Sequence, residues 1–470
     1  MTSEQIASLQ PALAKLLGQF RHCFQRDKTF AYLEKYILGL LSDVKRKSIE
    51  PIALAAGVAV RTLQEFLAFF RWDEDRATKQ LIRMVAHEHS HREAIGILDA
   101  SGHCKQGDKT PGVQRQWCGE SGKIDNCVVG QHLLYTDNDP KNPFSCVLAS
   151  DLFLPEAWSD DPDRCEEAGI PKDLRHRTKW SIGIDQIRQA NSEGIRFSFI
   201  VADEDYGKVP QFWFELDALG QWAVAEVPKN FLCWPKPPAY RSLRSEYAAK
   251  RVDNIVRHSP LFTSQSWKTM QIKDVTRGPC IWRVKAGQVH LVDTRNKSTA
   301  GCSEPTDRTY WLIVAENKAT GEIKYFVSNA PSHVSLKRLL EVAFCRWHIE
   351  KWFERAKQET GFGSFEVRTY RSLMRHWLAC LRAARTGRPL GLRCTSWPAR
   401  LCGFGGKNPQ ITLEQVAEAA NTLAWNLWNR WPHSWALVAA RCKYYQWRNQ
   451  ASYESRKRTC RLNNSQLDSS

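Results

Sequence analysis

Two short apolar segments, each running into an aspartate, constrain the fold of this chain most strongly. In "AIGILDASG" the aliphatic run ends at Asp99 and breaks at Gly102, and in "FSFIVADEDYG" a similar run ends at Asp203. Apolar runs of this length are typical of strands buried in a sheet, so each aspartate is expected at the carboxyl end of a strand. Neighbouring strand ends lie side by side, and Asp99 and Asp203 can therefore converge although 203 − 99 = 104 residues separate them.

Carboxylates placed this close together need a cation. They repel each other when both are ionised, and a divalent ion between them removes that repulsion while supplying catalytic charge. Two further acids follow Asp203 directly. Strand alternation is expected to turn Glu204 away from Asp203, which leaves Asp205 as the alternative ligand.

A third acid is expected on a helix. The segment "SLKRLLEVAFCRWHIEKWFERAKQETG" predicts one long amphipathic helix. Arg346, Glu350 and Lys357 stand at i, i+4 and i+11, which places them within about 40° on one face. A salt-bridged solvent face is the alternative interpretation of this stripe, and Glu354 is the alternative acid. The residues expected to pack inward are Val342, Trp347 and Phe353.

The charge balance indicates a polyanionic partner. The 470 residues include 67 Lys and Arg against 50 Asp and Glu, a formal charge of +17 with a pI of about 9.3. This excess suits nucleic acid better than a small neutral substrate. No segment is apolar for long enough to span a bilayer or resembles a secretion signal, so a cytoplasmic protein without a membrane partner is expected.

Hydrophobic spacing divides the chain into five predicted regions, with a mixed α/β fold at the centre. Helical spacing dominates the N-terminus, and strand candidates such as "NCVVGQHLLYT", "FSCVLASDLFL", "CIWRVKA" and "GQVHLVDT" follow. The regions are an all-α domain at 1–85, a first core segment at 86–228, a β-rich insertion at 229–333, the helix and core end at 334–385, and an irregular then helical basic region at 386–470.

A helix-turn-helix is predicted within "KRKSIEPIALAAGVAVRTLQEFLAFFRW". Pro51 suits a helix start, Gly57 suits the tight turn, and a second amphipathic helix is expected from about Val60. Arg61 and Gln64 would then lie on its exposed face, where they could contact DNA. An ordinary helical hairpin is the alternative. The basic residues expected to meet phosphates nearby are Lys45, Arg46 and Lys47.

Cysteine and histidine spacing gives no metal prediction. Fifteen Cys occur without a CxxC pair, which argues against a zinc ribbon and favours buried or free thiols without disulfides. The residues His87, His89 and His91 follow a helical pattern, whereas alternate residues share one side only in a strand. They are therefore not expected to share a metal ion.

Three segments, "ILDASG", "VADEDYG" and "RWHIEKWFERAKQETG", resemble in this order a bacterial insertion-sequence transposase of the DDE class. The resemblance covers roughly residues 40–375. In such families the helix carries a Y-(2)-R-(3)-E-(6)-K signature. Arg346, Glu350 and Lys357 match its last three positions, and Ala343 departs from the first. The loop that follows Asp99 is also similar to one branch of these transposases, in which lysines and glycines follow the aspartate.

The resemblance implies a ribonuclease-H-like core and a DNA transposase that cleaves transposon ends and transfers the strands to target DNA. It implies that Asp99, Asp203 and Glu350 bind two Mg²⁺ ions, for which Mn²⁺ can substitute. The partners implied are terminal inverted repeats, target DNA and further copies of the chain, in a nucleoid-associated protein. The residues expected to contact DNA are Arg346, Lys357, Lys105, Lys123, Arg61 and Gln64.

Alternatives of two other kinds remain at this point. A two-metal nuclease would cut without strand transfer, and a catalytically inactive regulator would bind DNA without cutting. Trp267 and Trp282 in the β-rich insertion are candidates for stacking on DNA, with core packing as the alternative. From residue 385 to 410 the sequence contains no acid and departs from the apolar helix that the family would continue.

Overall fold

A computed structural model describes residues 9–139, 144–237, 248–275, 278–295 and 304–385, together with Gln450 and Glu454. The chain forms two compact units. The first contains residues 1–92, 100–196 and 348–453, and the second contains residues 93–99, 197–347 and 454–470. The predicted C-terminal region lies outside the described residues apart from those two positions, and the predicted domain boundaries stay predictions.

The N-terminal helices belong to the first unit and confirm the predicted helical region. Their apolar residues recur at helical spacing, so that Leu33, Ile37 and Leu40 of one helix are fully buried. Asp73 caps the start of another by accepting from the Arg76 backbone N–H at 2.8 Å. The helices are α1 (Leu9–Gly18), α2 (Asp27–Leu41), α3 (Ile49–Ala55), α4 (Val60–Ala68) and α5 (Glu74–Glu88).

Antiparallel strands form the rest of the first unit around β3 (Lys123–Thr136). The two strand candidates "NCVVGQHLLYT" and "FSCVLASDLFL" are confirmed as β3 and β4, which pair antiparallel. The short strand β2, which also pairs with β3, was not predicted. The remaining strands of this unit are β2 (Gln114–Cys118), β4 (Ser145–Leu152) and the later half of β1 (Ile95–Cys104). Its helices are α6 (Glu156–Ser159), α7 (Pro162–Glu167) and α8 (Lys179–Ser192).

A mixed sheet forms the second unit and confirms the predicted α/β class. The first half of β1, then β5 and β6 are parallel neighbours, and β13 continues the sheet antiparallel to β6. The order continues through β12 to β10. The strands are β5 (Phe199–Ala202), β6 (Ala223–Val227), β7 (Leu232–Trp234), β8 (Lys250–Arg251), β9 (Lys268–Val275), β10 (Gly278–Asp293), β11 (Glu304–Pro305), β12 (Tyr310–Asn317) and β13 (Ile323–Ser328).

Two segments predicted as separate strands in the β-rich region form one continuous strand. The segments "CIWRVKA" and "GQVHLVDT" both lie in β10, which pairs without a break from Trp282 to Val289 with β12. Gly287 lies inside this strand and does not end it. A Cβ at Gly287 would lie 2.7 Å from the Leu261 side chain, so the glycine makes room for that side chain. The helices of the second unit are α9 (Glu204–Gly207), α10 (Pro210–Ala218), α11 (Val252–His258), α12 (Pro260–Thr263) and α13 (Leu336–Ala343).

The predicted long helix is interrupted. A 3₁₀ turn at Phe344–Arg346 separates α13 from α14 (Trp347–Thr360), and α15 (Tyr370–Arg385) follows. The tighter turn accompanies the packing of Phe344 on Trp282, with ring centroids 4.8 Å apart. Arg346 therefore precedes the helix that carries Glu350 instead of sharing its face. In the described part of the chain, no helix combines the length and apolar character that crossing a membrane requires.

Candidate active site

The two aspartates that follow the apolar runs are brought to one place by strand register. In the parallel pair β1–β5, Ile95 lies opposite Phe199 and Ile97 lies opposite Val201, a constant offset of 104 residues. The pairing ends at Ile97 and Val201, and the same offset carried two positions further would set Asp99 opposite Asp203. Both residues are partly exposed, whereas the strand residues before them are buried. The register therefore brings the two aspartates to the same edge of the sheet in the second unit.

The local structure around these aspartates corrects two details. β1 continues through Gly102 to Cys104, so Asp99 lies within a strand and not at its end. Asp203 does follow its strand, and its carboxylate caps α9 by accepting from the Asp205 backbone N–H at 2.9 Å. Strand alternation therefore does not orient Glu204, which begins that helix. The carboxylate of Asp205, the alternative ligand, pairs with Lys208 at 2.6 Å.

Arg346 contacts the first of the two aspartates. Its Nη1 lies 3.2 Å from Oδ2 of Asp99, with the side chains 28% and 14% exposed respectively. This distance exceeds the roughly 2.7–2.9 Å typical of a tight charge-assisted hydrogen bond. The guanidinium pairs with Asp99 and stays partly accessible to solvent. The sequence predicts a contact of this residue with DNA phosphates but not its contact with Asp99.

The helix α14 carries the remaining members of the signature into the first unit. Glu350 is exposed in its first turn, and Lys357 lies on the same face two turns later. Lys357 donates from Nζ to the Gly102 carbonyl at 3.1 Å and lies 3.8 Å from a carboxylate oxygen of Glu120. The convergence of Glu350 with the aspartates stays a prediction. Trp347, expected to pack inward, is 46% exposed.

Two lysines that were expected to contact DNA have different surroundings. Lys105 donates from Nζ to the Gly363 carbonyl at 2.8 Å and lies over the Phe365 ring, 3.6 Å from its centroid. Burial lowers the pKa of Lys105 to about 8. Lys123 instead keeps a side chain that is 70% exposed, with Asp125 at 3.8 Å. Of this pair, only Lys123 is presented for contact with a phosphate.

The predicted helix-turn-helix has the expected local geometry. Gly57 adopts a φ of +64° between α3 and α4, and both Arg61 and Gln64 are exposed on α4. Arg61 pairs with Glu65 at 2.7 Å. Of the nearby basic residues, Lys47 has a different role, because its ammonium donates to the carbonyls of Leu40 and Glu359 at 2.7 and 2.5 Å.

A buried residue of α15, Arg375, binds the C-terminal end of α4. The sequence did not predict this contact. Its side chain is 2% exposed, and it donates to the carbonyls of Phe66, Leu67, Phe70 and Trp72 at 2.9–3.3 Å. It also pairs with Glu74 at 2.9 Å. The first two carbonyls belong to the last turn of α4, where helical carbonyls lack intrahelical partners. A buried guanidinium therefore holds the end of the candidate DNA-reading helix.

Buried histidines pack beneath α14. The ring of His132 lies 5.1 Å from that of Phe353, and the ring of His103 lies 5.6 Å from that of Phe362. Burial lowers the pKa of His132 to about 3 and that of His103 well below its ordinary value, with Lys357 adding to both shifts. These histidines are neutral and act as aromatic core residues. Their alternation with apolar residues in strands β1 and β3 is the signal that could have identified them.

The tryptophans proposed for stacking are not equivalent. Trp282 is 3% exposed and packs on Phe344, so it is a core residue. Trp267 is partly exposed, and the cations of Arg283 and Lys285 lie 5.2 and 5.0 Å from its ring centroid. Only Trp267 keeps the surroundings that suit a contact with nucleic acid.

Metal-ligand spacing occurs where the sequence did not predict it. Among the described residues, ligand atoms of three side chains lie within 4.8 Å of one another in a single group, made of Cys104, Cys118 and Glu120. The histidine tract forms no such group there, and the ring of His89 stacks on Phe144 instead, 3.7 Å between centroids. The turn-rich sequence "CGESG" after a strand is the signal that could have drawn attention to this group.

Comparison with known proteins finds a matching family and a similar protein. The family model described as DDE superfamily endonuclease matches residues 19–283, which is more than half of the chain and includes Asp99 and Asp203. The chain is also similar to a probable transposase for insertion sequence element IS701 from Microchaete diplosiphon. The two are 23% identical over 369 residues, which cover 77% of this chain and 84% of that protein.

Proposed function

Because the chain belongs to the DDE superfamily endonucleases, we propose that it is a DNA transposase that cleaves the ends of an insertion sequence and joins them to target DNA. The observation that supports this proposal is the constant 104-residue offset of β1 on β5, which leads Asp99 and Asp203 to the same edge of the sheet. Two partly exposed carboxylates at one sheet edge suit a divalent cation, which would remove their mutual repulsion. The similarity to the IS701 transposase supports strand transfer over simple cleavage.

The donor set fits a divalent ion, on which endonucleases of this superfamily depend. Asp99 and Asp203 supply hard carboxylate oxygens, the ligand type that Mg²⁺ and Mn²⁺ prefer. We assign two Mg²⁺ ions to Asp99, Asp203 and Glu350. When bound, they activate the attacking water or 3′-hydroxyl and stabilise the leaving oxygen.

Arg346 has a role that its contact with Asp99 suggests. Its guanidinium lies against that carboxylate and stays 28% exposed. From this position its planar fork would bind a phosphate next to the cut, and Asp99 would help to hold the metal ion.

Further DNA contacts come from surfaces of the first unit. The exposed Arg61 and Gln64 on α4 suit recognition of the terminal inverted repeat, and Lys123 suits a phosphate contact. The formal charge of +17 supports affinity along the rest of the duplex. We further propose that the protein acts as a homo-oligomer on paired ends and works at the nucleoid in the cytoplasm.

A cleavage assay tests the assignment of the acids. The substrate is a labelled duplex carrying the element's own terminal repeat, with Mg²⁺ or Mn²⁺ present. Asp99→Asn, Asp203→Asn and Glu350→Gln are each expected to lower cleavage by roughly 10³-fold or more, since each removes a ligand of ions that lower the barrier by several kcal/mol. Binding of the same duplex should persist, because phosphate contacts by Lys and Arg provide most of the affinity.

Matched acids on the same elements provide the controls. Asp205→Asn lies two residues from Asp203, and Glu354→Gln lies one turn from Glu350; both are expected to cut at the wild-type rate. Loss of cleavage in Glu354→Gln with retention in Glu350→Gln would overturn the assignment on α14. Cutting without any joined product identifies a nuclease, and DNA-dependent regulation that survives all three acid substitutions identifies a non-catalytic binding protein.

A further inference from the structure

A cluster of thiols with one carboxylate lies in the first unit. Cys104 ends β1, Cys118 ends β2, and Cys127 lies in the neighbouring strand β3. The Sγ atoms of Cys104 and Cys118 are 3.6 Å apart, and a carboxylate oxygen of Glu120 lies within 4.8 Å of both. The three cysteines lie on three different strands, so their proximity depends on the fold.

The distance between the two sulfur atoms matches shared coordination better than a covalent bond. Two thiolates on a tetrahedral Zn²⁺, each about 2.3 Å from the ion, stand roughly 3.8 Å apart. A disulfide requires about 2.05 Å, so Cys104 and Cys118 would have to move together by about 1.5 Å. Glu120 adds an oxygen ligand of a kind that zinc also accepts.

Zinc binds cysteine as the thiolate, so its binding at this cluster would release a proton from each of the two thiols.

The backbone around the cluster leaves room for this approach. A Cβ on Gly102 would come within 2.9 Å of the Cys118 sulfur, so only glycine allows the thiol to lie against β1. On the far side, Lys357 lies 3.8 Å from Glu120. Two thiolates and one carboxylate around Zn²⁺ carry a net charge of −1, which complements that ammonium.

We propose that Cys104, Cys118 and Glu120 form a structural zinc site that joins the ends of β1 and β2. The ion ties the β2–β3 hairpin to the strand that begins with the catalytic Asp99 segment. Its fourth position takes water, while Cys127 packs beside the site as a buried thiol without ligating. The inference depends on none of the cleavage chemistry proposed above.

The test measures zinc in the full-length protein, purified with a non-thiol reductant and without added chelator. The background is the Asp99→Asn/Asp203→Asn double variant, so that ions at the carboxylate pair do not contribute. Elemental analysis is expected to find one zinc per chain above that of the same protein carrying Cys118→Ser or Cys104→Ser. Co²⁺ in place of zinc should give the visible absorption of a tetrahedral site and a thiolate charge-transfer band.

Cys127→Ala is the matched control, because it removes a buried thiol from the same cluster, and it should retain both the zinc and the cobalt spectrum. Glu120→Gln should weaken zinc retention during dialysis, and Glu156→Gln, an exposed acid elsewhere in the same unit, should not. Wild-type protein that binds no zinc, or whose Co²⁺ spectrum lacks the charge-transfer band, would overturn the proposal. So would a Cys104–Cys118 disulfide in freshly purified protein, or loss of zinc in Cys127→Ala alone. None of these readouts depends on cleavage, so failure here is distinct from failure of the transposase proposal.

Discussion

Two charged sites in this protein have opposite surroundings. Behind α4 in the first unit, Arg375 is 2% exposed and has five hydrogen-bond acceptors around its guanidinium. At the β1–β5 edge of the second unit, Asp99 and Arg346 remain 14% and 28% exposed and meet at 3.2 Å. A buried charge with all its donors satisfied contributes structure, whereas a loosely paired charge near solvent can exchange its partner for a ligand. The predictions below test that difference.

The largest effect is expected at Arg375. Replacing it with Met leaves Glu74 and the carbonyls at the end of α4 without their partner, which should lower the free energy of unfolding by about 3–5 kcal/mol. Urea denaturation followed by circular dichroism measures it. Arg371→Met is the control, since Arg371 pairs with the same Glu74 while 55% exposed and should change stability little. Equal effects of the two substitutions would show that burial does not distinguish them.

Acid should destabilise the first unit through its neutral histidines. The pKa values of His132 and His376 are lowered to about 3 by burial, far below the unfolded value of about 6.5. As the pH falls through this window the unfolded chain takes up protons first, so stability decreases by about 1.4 kcal/mol per pH unit for each histidine. Denaturation midpoints between pH 7 and pH 4 measure the slope. His132→Gln should make it shallower by about one proton, and an unchanged slope would contradict the assignment.

Lys105, just after β1, and Lys123, at the start of β3, extend the comparison between buried and exposed charges. Lys105→Ala removes a cation that donates to the Gly363 carbonyl and should lower the free energy of unfolding by about 1–3 kcal/mol. Lys123→Ala should leave stability unchanged and reduce the salt dependence of DNA binding by about one phosphate contact. Denaturation and a salt series of binding isotherms separate the two. The reverse pattern would mean that Lys105 is released to bind DNA.

The smallest effect is expected for Arg346→Lys, which keeps the charge but loses the bidentate fork. Stability should stay within error, and cleavage should fall by roughly tenfold. Cleavage rates of the labelled duplex, measured beside Lys357→Ala, test it. If Arg346→Lys unfolds the protein instead, the contact with Asp99 is structural and the comparison between the two sites fails.

Much of the sheet that positions the acids could be predicted from the sequence. The runs before Asp99 and Asp203 are short, apolar and followed by acids, and a parallel pair of such strands has few registers that bury both. The N-terminal helices and the turn at Gly57 were predictable for the same reason, because spacing and turn chemistry act over a few residues. The interruption at Phe344–Arg346 was not, since the amphipathic pattern continues through it and the packing of Phe344 on Trp282 involves a strand 62 residues earlier, 344 − 282 = 62.

The sequence by itself determined which residues are candidates for the chemistry: the acids at two buried strands, and Arg346, Glu350 and Lys357. It also determined a basic excess suited to DNA. Only the tertiary structure decided which of the charged side chains are available to bind a ligand. Lys105 is held by a carbonyl 258 residues away, and Arg375 by carbonyls more than 300 residues away. The proximity of Cys104, Cys118 and Glu120 likewise depends on the tertiary structure. Local patterns fix where a side chain stands on its own element, but burial and ion pairing depend on groups that only the folded chain brings near.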